Sequence, residues 1–512
     1  MIENNYFSYF VRLNNKMRLA LDAAGEAAEG AWVDFETIEK ACQTNVYNKF
    51  VPIYCQNVWF CLHGCKVKRY YPSGRVQETR VSFAPVYIEP SQKIIETMKK
   101  AIDLCPEPKL KTFSYLSDRK YVSTWGYLNG RCNIPLTVML KACNILAIDA
   151  WELLDGHKLY ARDKNNFLTF KKDFGFEMEI IKNWVKLEGN LSLSSPEMKI
   201  TQSNEGRDAL IAIQKSIDKT FDSEVATKLT SCKTRPGIDI FYIFSSPLRQ
   251  VLVLKHDIPL GYKSRKIKPE THPAILQEEE TMRLVASDFE TEGSFVCRKK
   301  TMHHTDYCEF SISTYSKQCS RNMYMRLKSL GFAPSFEERK RMRKTTETEY
   351  KVIVRKYDDL TRLCFGVMPY LHHRKKIRDI CLGLVDKNYI LKCRIRKSRS
   401  LSKLLLESKQ KLGTYRKFAE YISSHAQTSK NIDTVREWVI GDCDVPLMVV
   451  WLACELTGDD WRKHIPNYFS MLLWLNGLIS EEDMKQIYNS TDKRFAGRNV
   501  IEGFAPRATG TG

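Results

Sequence analysis

The chain has 512 residues, of which 43% are hydrophobic, and it carries a formal net charge of +20 with a pI near 9.2. This length exceeds what one hydrophobic core holds, so we expect several globular domains and exclude a mainly disordered chain. The charge indicates a polyanionic partner, either nucleic acid or an acidic membrane face, and it is concentrated, because residues 297–378 hold 20 Lys/Arg against 8 Asp/Glu. We therefore predict a basic patch there.

The N-terminal sequence has an early acid and no apolar signal core, and the longest apolar run, VPLMVVWLAC from Val445, is about half of what a bilayer crossing requires. We therefore predict a soluble protein without membrane contact. Its predicted location is cytoplasmic and nucleoid-associated, with an organelle as the open alternative. Residues 1–88 match no pattern that we can interpret and form a region of unknown type.

Sixteen cysteines are scattered along the chain without a repeated pair spacing, which predicts reduced and mostly buried thiols. One cluster contains the residue types that bind zinc: Cys55, Cys61, His63 and Cys65. Its spacing fits no zinc finger that we know, so buried thiols are the favoured interpretation and a zinc site is the alternative.

Two distant stretches share one pattern. VSTWGYLNGRCNIPLTVMLKACNILAIDAWELL begins at Val122, and VREWVIGDCDVPLMVVWLACELTGDDWRKHI begins at Val435. Both read Trp, a glycine turn, Pro-Leu and a helix with Ala-Cys, and Pro135 and Pro446 each suit the first position of a helix. The pattern predicts two small all-helical modules. Their boundaries are residues 89–160 and 393–490, with a tail at 491–512.

The first stretch resembles helix-turn-helix proteins of the phage-repressor type, in which the recognition helix closes into NG[KR]…P before a long apolar helix. Here the letters are VSTWGYLNGRCNIPL. The resemblance implies that Lys120 and Arg131 contact DNA. A packing module is the alternative for both copies, and it weighs more for the second copy, which lacks the NGR.

A weaker repeat lies between these modules. IKNWVKLEG from Ile181 and VASDFETEG from Val285 each end a helical pattern in Glu-Gly. Two alternating strands, a helix, two more strands and a final helix follow in both cases. The sequence therefore predicts an α+β chain with an αββαββα unit twice, over residues 165–270 and 271–392.

This central region resembles the two-repeat, monomeric LAGLIDADG homing endonuclease family. The resemblance rests on the two nine-residue motifs, on the linker DIPLGYKSRKIKP from Asp257 and on PYLHHRKKIRD from Pro369. It implies a pseudo-twofold saddle whose two motif helices pack side by side, with the small Ala286 and Ser287 in the seam. It also implies a role in intron mobility.

The resemblance further implies that Glu188 and Glu292 are the catalytic acids. Together with Gly189 and Gly293 they would hold Mg²⁺ or Mn²⁺, with one acid per half serving cleavage of two strands. The two glycines are expected to let the chain leave each helix in a sharp turn. The first motif departs from the family pattern, because Lys182, Asn183 and Lys186 stand where small or apolar groups are usual.

The sheets of such a saddle face double-stranded DNA, and strand alternation predicts which side chains point toward it. The DNA-binding residues predicted besides Lys120 and Arg131 are Lys199, Thr201, Ser203, Lys228, Lys263, Arg339, Arg341, Arg343, Lys351, Arg355, Arg374 and Lys375. A solvated basic strand face is the alternative for any single residue.

These patterns together favour a monomeric, site-specific double-strand DNA endonuclease that hydrolyses phosphodiester bonds with a metal ion. A DNA-binding regulator that has kept the saddle but no longer cuts is the first alternative, which the polar first motif favours. An RNA maturase acting on intron RNA is the second, because a basic surface does not distinguish the two polymers.

Overall fold

Short antiparallel strands open the chain in the computed structural model. The structure describes residues 9–12, 32–34, 37, 65–70, 75–83, 85–117, 119–162, 165–260, 276–298, 307–340, 348–385, 387–426, 430–484 and 486. The chain divides into two compact units, one of residues 1–275, 314–322 and 338–350 and one of residues 276–313, 323–337 and 351–512. Among the described residues, no helix has both the length and the apolar character that crossing a bilayer would need.

The first sheet belongs to the N-terminal region. Its strands are β1 (Tyr9–Arg12), β2 (Trp32–Asp34), β3 (Lys66–Tyr70) and β4 (Val76–Arg80), in the order β2-β1-β3-β4. Cys65 precedes β3 and is buried, and burial raises the pKa of its thiol to about 11 against the opposing charge of Arg80. This fits a structural thiol. The other members of the predicted cysteine cluster, Cys55, Cys61 and His63, lie outside the described residues.

The first helical module contains a small sheet. Its elements are β5 (Tyr87–Ile88), α1 (Gln92–Asp103), α2 (Lys109–Leu116), α3 (Tyr121–Leu128), β6 (Ile134–Pro135), α4 (Leu136–Leu146), α5 (Ala150–Leu153), β7 (Lys158–Tyr160) and β8 (Phe167–Thr169). The strands pair in the order β6-β5-β7-β8, so the prediction of an all-helical module is wrong. Strands of two or three residues are too short for a period-two pattern to be read from the sequence.

A helix, two strands, a helix, two strands and a helix come next. They are α6 (Phe176–Leu187), β9 (Gly189–Leu191), β10 (Glu197–Ser203), α7 (Arg207–Thr220), β11 (Ala226–Ser231), β12 (Ile238–Phe244) and α8 (Ser246–Leu254). The antiparallel sheet has the order β11-β12-β10-β9. Alternation sorts its side chains, since Ile200 and Ile243 are fully buried while Thr201 and Phe244 beside them are exposed.

The same order of elements recurs further along the chain. The elements are α9 (Glu278–Glu292), β13 (Gly293–Arg298), β14 (Tyr307–Thr314), α10 (Lys317–Ser329), β15 (Ser335–Lys340), β16 (Thr348–Val354) and α11 (Tyr357–Val367). Their sheet order is β13-β14-β16-β15, so both sheets run first, second, fourth, third strand. The predicted α+β class with small antiparallel sheets is confirmed.

Helices dominate the remainder of the described chain. The elements are α12 (Arg374–Leu384), α13 (Lys387–Lys392), β17 (Arg394–Ile395), α14 (Arg399–Leu412), α15 (Tyr415–His425), α16 (Ile432–Ile440), β18 (Val445–Pro446), α17 (Leu447–Thr457) and α18 (Ser470–Leu475). Short 3-10 turns lie at Asn204–Gly206, Met368–Tyr370, Trp461–Lys463 and Asn467–Phe469. Because β17 pairs with β18, this module is not all-helical either.

The two helical modules share one backbone pattern. In each, a two-residue strand precedes three helices, a second strand pairs with the first, and a helix starts directly afterwards. Ile88 pairs with Ile134 in the first module, and Ile395 pairs with Val445 in the second. The sequence repeat therefore corresponds to a repeated fold that includes its small sheet.

In the second half of each helical module, equivalent residues differ by a constant 311 in residue number. This shift matches Gly130 to Gly441, and both have positive φ, at 66° and 82°. It also matches Tyr127 to Trp438, which are both buried, whereas Trp125 is 44% exposed. The sequence repeat matches Trp125 to Trp438 by residue type, but the structure places the equivalent of Trp125 two residues earlier, at Arg436.

One pair of cysteines is joined. Cys297 and Cys308 lie opposite each other on β13 and β14 and form a disulfide, so the expectation of reduced thiols is wrong for this pair. The other cysteines of the described chain are in no disulfide, and most of them are buried. Sequence spacing did not show the pair, because the hairpin register and not a repeated motif brings the two residues together.

Replacing Gly130 or Gly441 by Ala should destabilise its module, because a side chain in the left-handed region costs about 1–2 kcal/mol. Gly441→Ala should cost more, since its Cβ would lie 2.7 Å from Ser402 Oγ, against 3.6 Å from Ile95 Cδ1 for Gly130→Ala. Amide hydrogen exchange, which reports each module separately, measures both effects. Equal decreases in protection would contradict the steric difference.

Candidate active site and nucleic-acid surface

The start of α9 is stabilised by a reciprocal cap. The Gln277 side chain accepts a backbone N–H of the first turn, and the Glu280 carboxylate accepts the Gln277 N–H at 3.0 Å. Acids fill this turn, where the helix dipole favours negative charge. Further along, Ala286 and Ser287 are buried, as expected for small residues in a packed helix.

Two acids near the end of α9 are buried and have partners. Asp288 is fully buried, and Arg326 Nη1 donates to its carboxylate at 2.8 Å. Glu290 accepts the backbone N–H groups of His372 and, at 3.0 Å, His373. Buried carboxylates require such donors, so both acids connect the helix to its neighbours. Sequence reasoning did not assign these roles.

A lysine caps the C-terminal end of α9. Lys376 Nζ, from α12, donates to the carbonyl oxygens of Phe289 at 2.6 Å, Glu290 at 2.7 Å and Thr291 at 3.3 Å. These carbonyls carry the negative end of the helix dipole, so an ammonium stabilises them. Sequence reasoning selected the two preceding cations and missed Lys376, because all three stand in one run.

Each motif ends in a glycine that has no space for a side chain. A Cβ on Gly293 would lie 2.6 Å from Phe289 Cα, and one on Gly189 would lie 2.7 Å from Val185 Cα. Gly293 has extended backbone, with φ −86° and ψ 157°. Close approach of the backbone therefore requires the glycine at this passage from helix to strand, and its φ does not.

The first motif helix, α6, adapts to its unusual polar residues. Lys182 is buried, and its ammonium lies 2.6 Å from the Glu179 carboxylate one turn earlier. Asn183 is also buried, and Lys186 is half-buried. The buried charge of Lys182 is thus neutralised within the helix.

The predicted catalytic acids occupy equivalent points in the two repeats. Glu188 caps α6 and Glu292 is the last residue of α9; both are half-buried, and each precedes the glycine that begins a strand. Carboxylate and carbonyl oxygens are the ligands that Mg²⁺ prefers, so the donor chemistry of each half fits this ion. Within the described ranges, no group of three or more His, Cys, Asp or Glu side chains could hold a metal ion.

The predicted DNA-binding residues of the first repeat lie on one face of their sheet. Thr201, Ser203 and Lys228 are exposed, and the Lys199 side chain is 39% exposed. Lys199 also pairs with Glu197 at 2.7 Å, which reduces its free charge. The opposite face carries the buried core residues, so the alternation expected from the sequence holds here.

A buried ionic cluster lies on the second repeat's sheet. Lys351 Nζ lies 2.5 Å from Glu309 Oε1, and Arg355 contacts Glu309 at 3.1 Å and Glu337 at 3.0 Å. Lys351 is 9% exposed, so it is a structural cation, which corrects its prediction as a DNA contact. Alternation alone did not reveal the acid on the adjacent strand.

This cluster shifts the ionisation of its members. Burial would raise the pKa of Glu309, but hydrogen bonds and charge from Lys351 and Arg355 outweigh it and lower that pKa below 4.5. Burial also opposes the charge on Arg355, while Glu309 and Glu337 raise its pKa overall. The carboxylate and the guanidinium are therefore both charged near neutral pH.

The remaining predicted DNA-binding residues of the central region are either exposed or outside the described residues. Arg339, Arg374 and Lys375 are exposed. Lys263, Arg341 and Arg343 lie outside the described residues.

The first helical module exposes cations beside aromatic rings on and around α3. Lys120 and Arg131 are exposed, and so are Tyr121 and Trp125. The Arg131 guanidinium lies 5.1 Å above the Trp125 ring. Such a surface combines charge for phosphate with flat apolar groups.

The corresponding surface of the second helical module lacks this excess of cations. The shift of 311 residues places Asn431 where the first module has Lys120, Arg436 at Trp125 and Asp442 at Arg131. Glu437 is also exposed on α16. The two modules therefore share a backbone and differ in surface charge.

Replacing Glu309 by Gln should lower the free energy of unfolding at pH 7 by about 3–5 kcal/mol, because the buried Lys351 ammonium loses its partner. Since folding lowers the pKa of Glu309 below 4.5, the native pair stabilises fully above that pH and loses this stabilisation as pH falls through the folded-state pKa. Urea unfolding across acidic pH should show a flatter profile for the variant.

The matched control is Glu338→Gln. Its pair with Lys317 is about half exposed on both sides, at 2.6 Å, so its removal should change the stability by less than about 1 kcal/mol. Similar destabilisation by the two variants would contradict the buried cluster.

Replacing Lys120 and Arg131 by Gln should flatten the salt dependence of binding to duplex DNA by about one unit of log–log slope for each phosphate that the variant no longer neutralises. Filter binding at several salt concentrations measures the slope. The same change at Lys430 and Arg436 in the second module is the control and should leave it unchanged. An unchanged slope in the first variant would indicate a packing module.

No protein-family model matches this chain, and no curated protein matches it at a significant level.

Proposed function

We propose that this protein is a site-specific, metal-dependent double-strand DNA endonuclease of the LAGLIDADG type. In this proposal the two αββαββα segments form a pseudo-twofold saddle over DNA. The supporting observation is the agreement between them: the order of elements is the same, the strand order is the same, and Glu-Gly stands at the same passage from helix to strand. A chance match of single letters would not produce these three agreements together.

Each half contributes one carboxylate, Glu188 or Glu292, and the carbonyl oxygen of the following glycine as metal ligands. When bound, Mg²⁺ supplies positive charge that stabilises the phosphate and favours ionisation of a water molecule. The chain itself positions the acids. In the second half, the cap from Lys376 and the close approach at Gly293 fix the end of the helix that carries Glu292.

The surface charge supports a nucleic-acid substrate. Residues 297–378 hold twelve more Lys and Arg than Asp and Glu. The exposed cations of this range include Arg339, Arg374 and Lys375. The exposed cations and rings around α3 add a second candidate surface outside the central repeats. Together they fit a protein that binds DNA over several surfaces.

A DNA-binding regulator that no longer cuts is the second candidate. One observation favours it: the first motif helix buries Lys182 and Asn183 where the family has small residues. An altered first helix can preserve binding while it misplaces Glu188. Cleavage and binding must therefore be measured separately.

Incubation with genomic DNA and Mg²⁺, followed by sequencing of the ends, should reveal short staggered breaks at one site. Glu188→Gln and Glu292→Gln should each abolish cleavage or leave only nicking, because each removes a metal ligand. Affinity for DNA should be kept or raised, since the change removes a negative charge near phosphate.

The matched control is Glu278→Gln, an exposed acid at the opposite end of α9, which should cleave normally. Normal cleavage by Glu292→Gln would refute the catalytic assignment. Specific binding without breaks in the native protein would favour the regulator.

A further inference from the structure

The exposed face of the first repeat's sheet is built in cross-strand rows. The central strand β12 carries Ile240, Tyr242 and Phe244 toward this face, and the neighbouring strands complete each row. The rows are Ser203–Ile238, Thr201–Ile240–Thr230, Asn190–Lys199–Tyr242–Lys228 and Glu197–Phe244–Ala226. Methyl groups and rings therefore occupy the middle of the face, with lysines on both sides of it.

These rows contain no arginine or glutamine. In the major groove Arg or Lys recognises guanine, and Asn or Gln recognises adenine. Asn190, which stands opposite Lys199, therefore suits the adenine of a T·A pair, and Lys199 and Lys228 can reach phosphate or guanine. Thr methyl, Ala and Phe instead make apolar contact with the 5-methyl group of thymine. Thr201, Thr230, Ala226 and Phe244 supply these groups here, and Ile240 adds an apolar side chain between the two threonines.

The Tyr242 ring on this face has both a second ring and an ammonium group beside it. Tyr242 and Phe244 are parallel, with an interplanar angle of 3° and centroids 5.8 Å apart. Lys199 Nζ lies 5.2 Å from the Tyr242 centroid, over the ring. A stacking platform for unpaired bases needs open ring faces, so the neighbours of Tyr242 disfavour stacking there, while Phe244, which is 38% exposed, is open to contact with a methyl group.

The sheet of the second repeat offers different chemistry. Arg355 is held between Glu309 and Glu337, Arg339 is exposed, and Arg298 is exposed beside Tyr307. Guanidinium groups suit guanine and phosphate. The two sheets therefore differ in what they can recognise, although their strand order is the same.

We propose that the first repeat's sheet reads thymine methyl groups, so that the half of the DNA site beneath it is rich in T·A pairs. This inference rests on the proposed function, because it assumes duplex DNA on the sheet. Thr201, Ile240 and Phe244 contact the methyl groups, while Lys199 and Lys228 contact the phosphates beside them. The other half-site carries no such requirement.

The test uses the full chain with Ca²⁺ in place of Mg²⁺, so that bound DNA stays intact. Duplexes selected from a random library are sequenced, and thymine is then replaced by deoxyuridine in one half at a time. We expect about fourfold weaker binding for each contacted methyl removed, as for one buried CH₂, in one half alone. Ile240→Ser should reduce that difference, because Thr201 and Phe244 remain. Ile440→Ser, at a position 55% exposed in the second helical module, should leave it intact.

Three outcomes overturn the inference in distinguishable ways. Selection of no duplex refutes the proposed function itself. A selected duplex that tolerates deoxyuridine in both halves refutes methyl reading alone. If the protein prefers single-stranded RNA to every duplex, the sheet recognises unpaired bases by stacking and does not read thymine methyl groups. If Ile240→Ser unfolds, as thermal denaturation would show, Phe244→Ser at a position 38% exposed takes its place.

Discussion

The absence of space beside the backbone at the end of each motif helix is the constraint on which the candidate site depends. At Gly293 the chain passes from helix to strand so close to Phe289 that a methyl group would overlap its backbone. The Phe289 ring in turn stacks on Phe310 of the sheet, with centroids 4.1 Å apart. Helix, strand and sheet core are thus joined at one point, and Glu292 precedes that point by one residue.

Partnered charges explain how a basic protein can also bury acids. Asp288 and Glu290 are both buried in α9 because Arg326 and backbone N–H groups satisfy them. The opening acids of α9 follow the helix dipole, and the acid at its end precedes the tight glycine. One helix therefore uses acids for capping, for connection and, in the proposed function, for catalysis.

Much of the architecture could be predicted from the sequence, because it follows from periodicity. The order of helices and strands in both central repeats and the exposure of Thr201 and Ser203 follow from patterns of two or 3.6 residues. The duplicated modules follow from a repeat of the sequence itself. A repeated Glu-Gly also located both candidate acids on equivalent helix ends. The remainder depended on contacts between residues that are distant in sequence. Lys351 has the right alternation for an exposed cation, but Glu309 on a neighbouring strand buries it, and the pairing of Cys297 with Cys308 follows from a hairpin register.

The constant shift between the helical modules means that one scaffold occurs twice in a single polypeptide. Buried positions such as Tyr127 and Trp438 keep a large aromatic ring, while exposed positions such as Arg131 and Asp442 differ in sign of charge. The exposed residues of this scaffold therefore differ between the two copies while the buried residues keep their character. The two copies present surfaces of different charge on the same backbone, so exposed residues in this scaffold can change while the packing beneath them is kept.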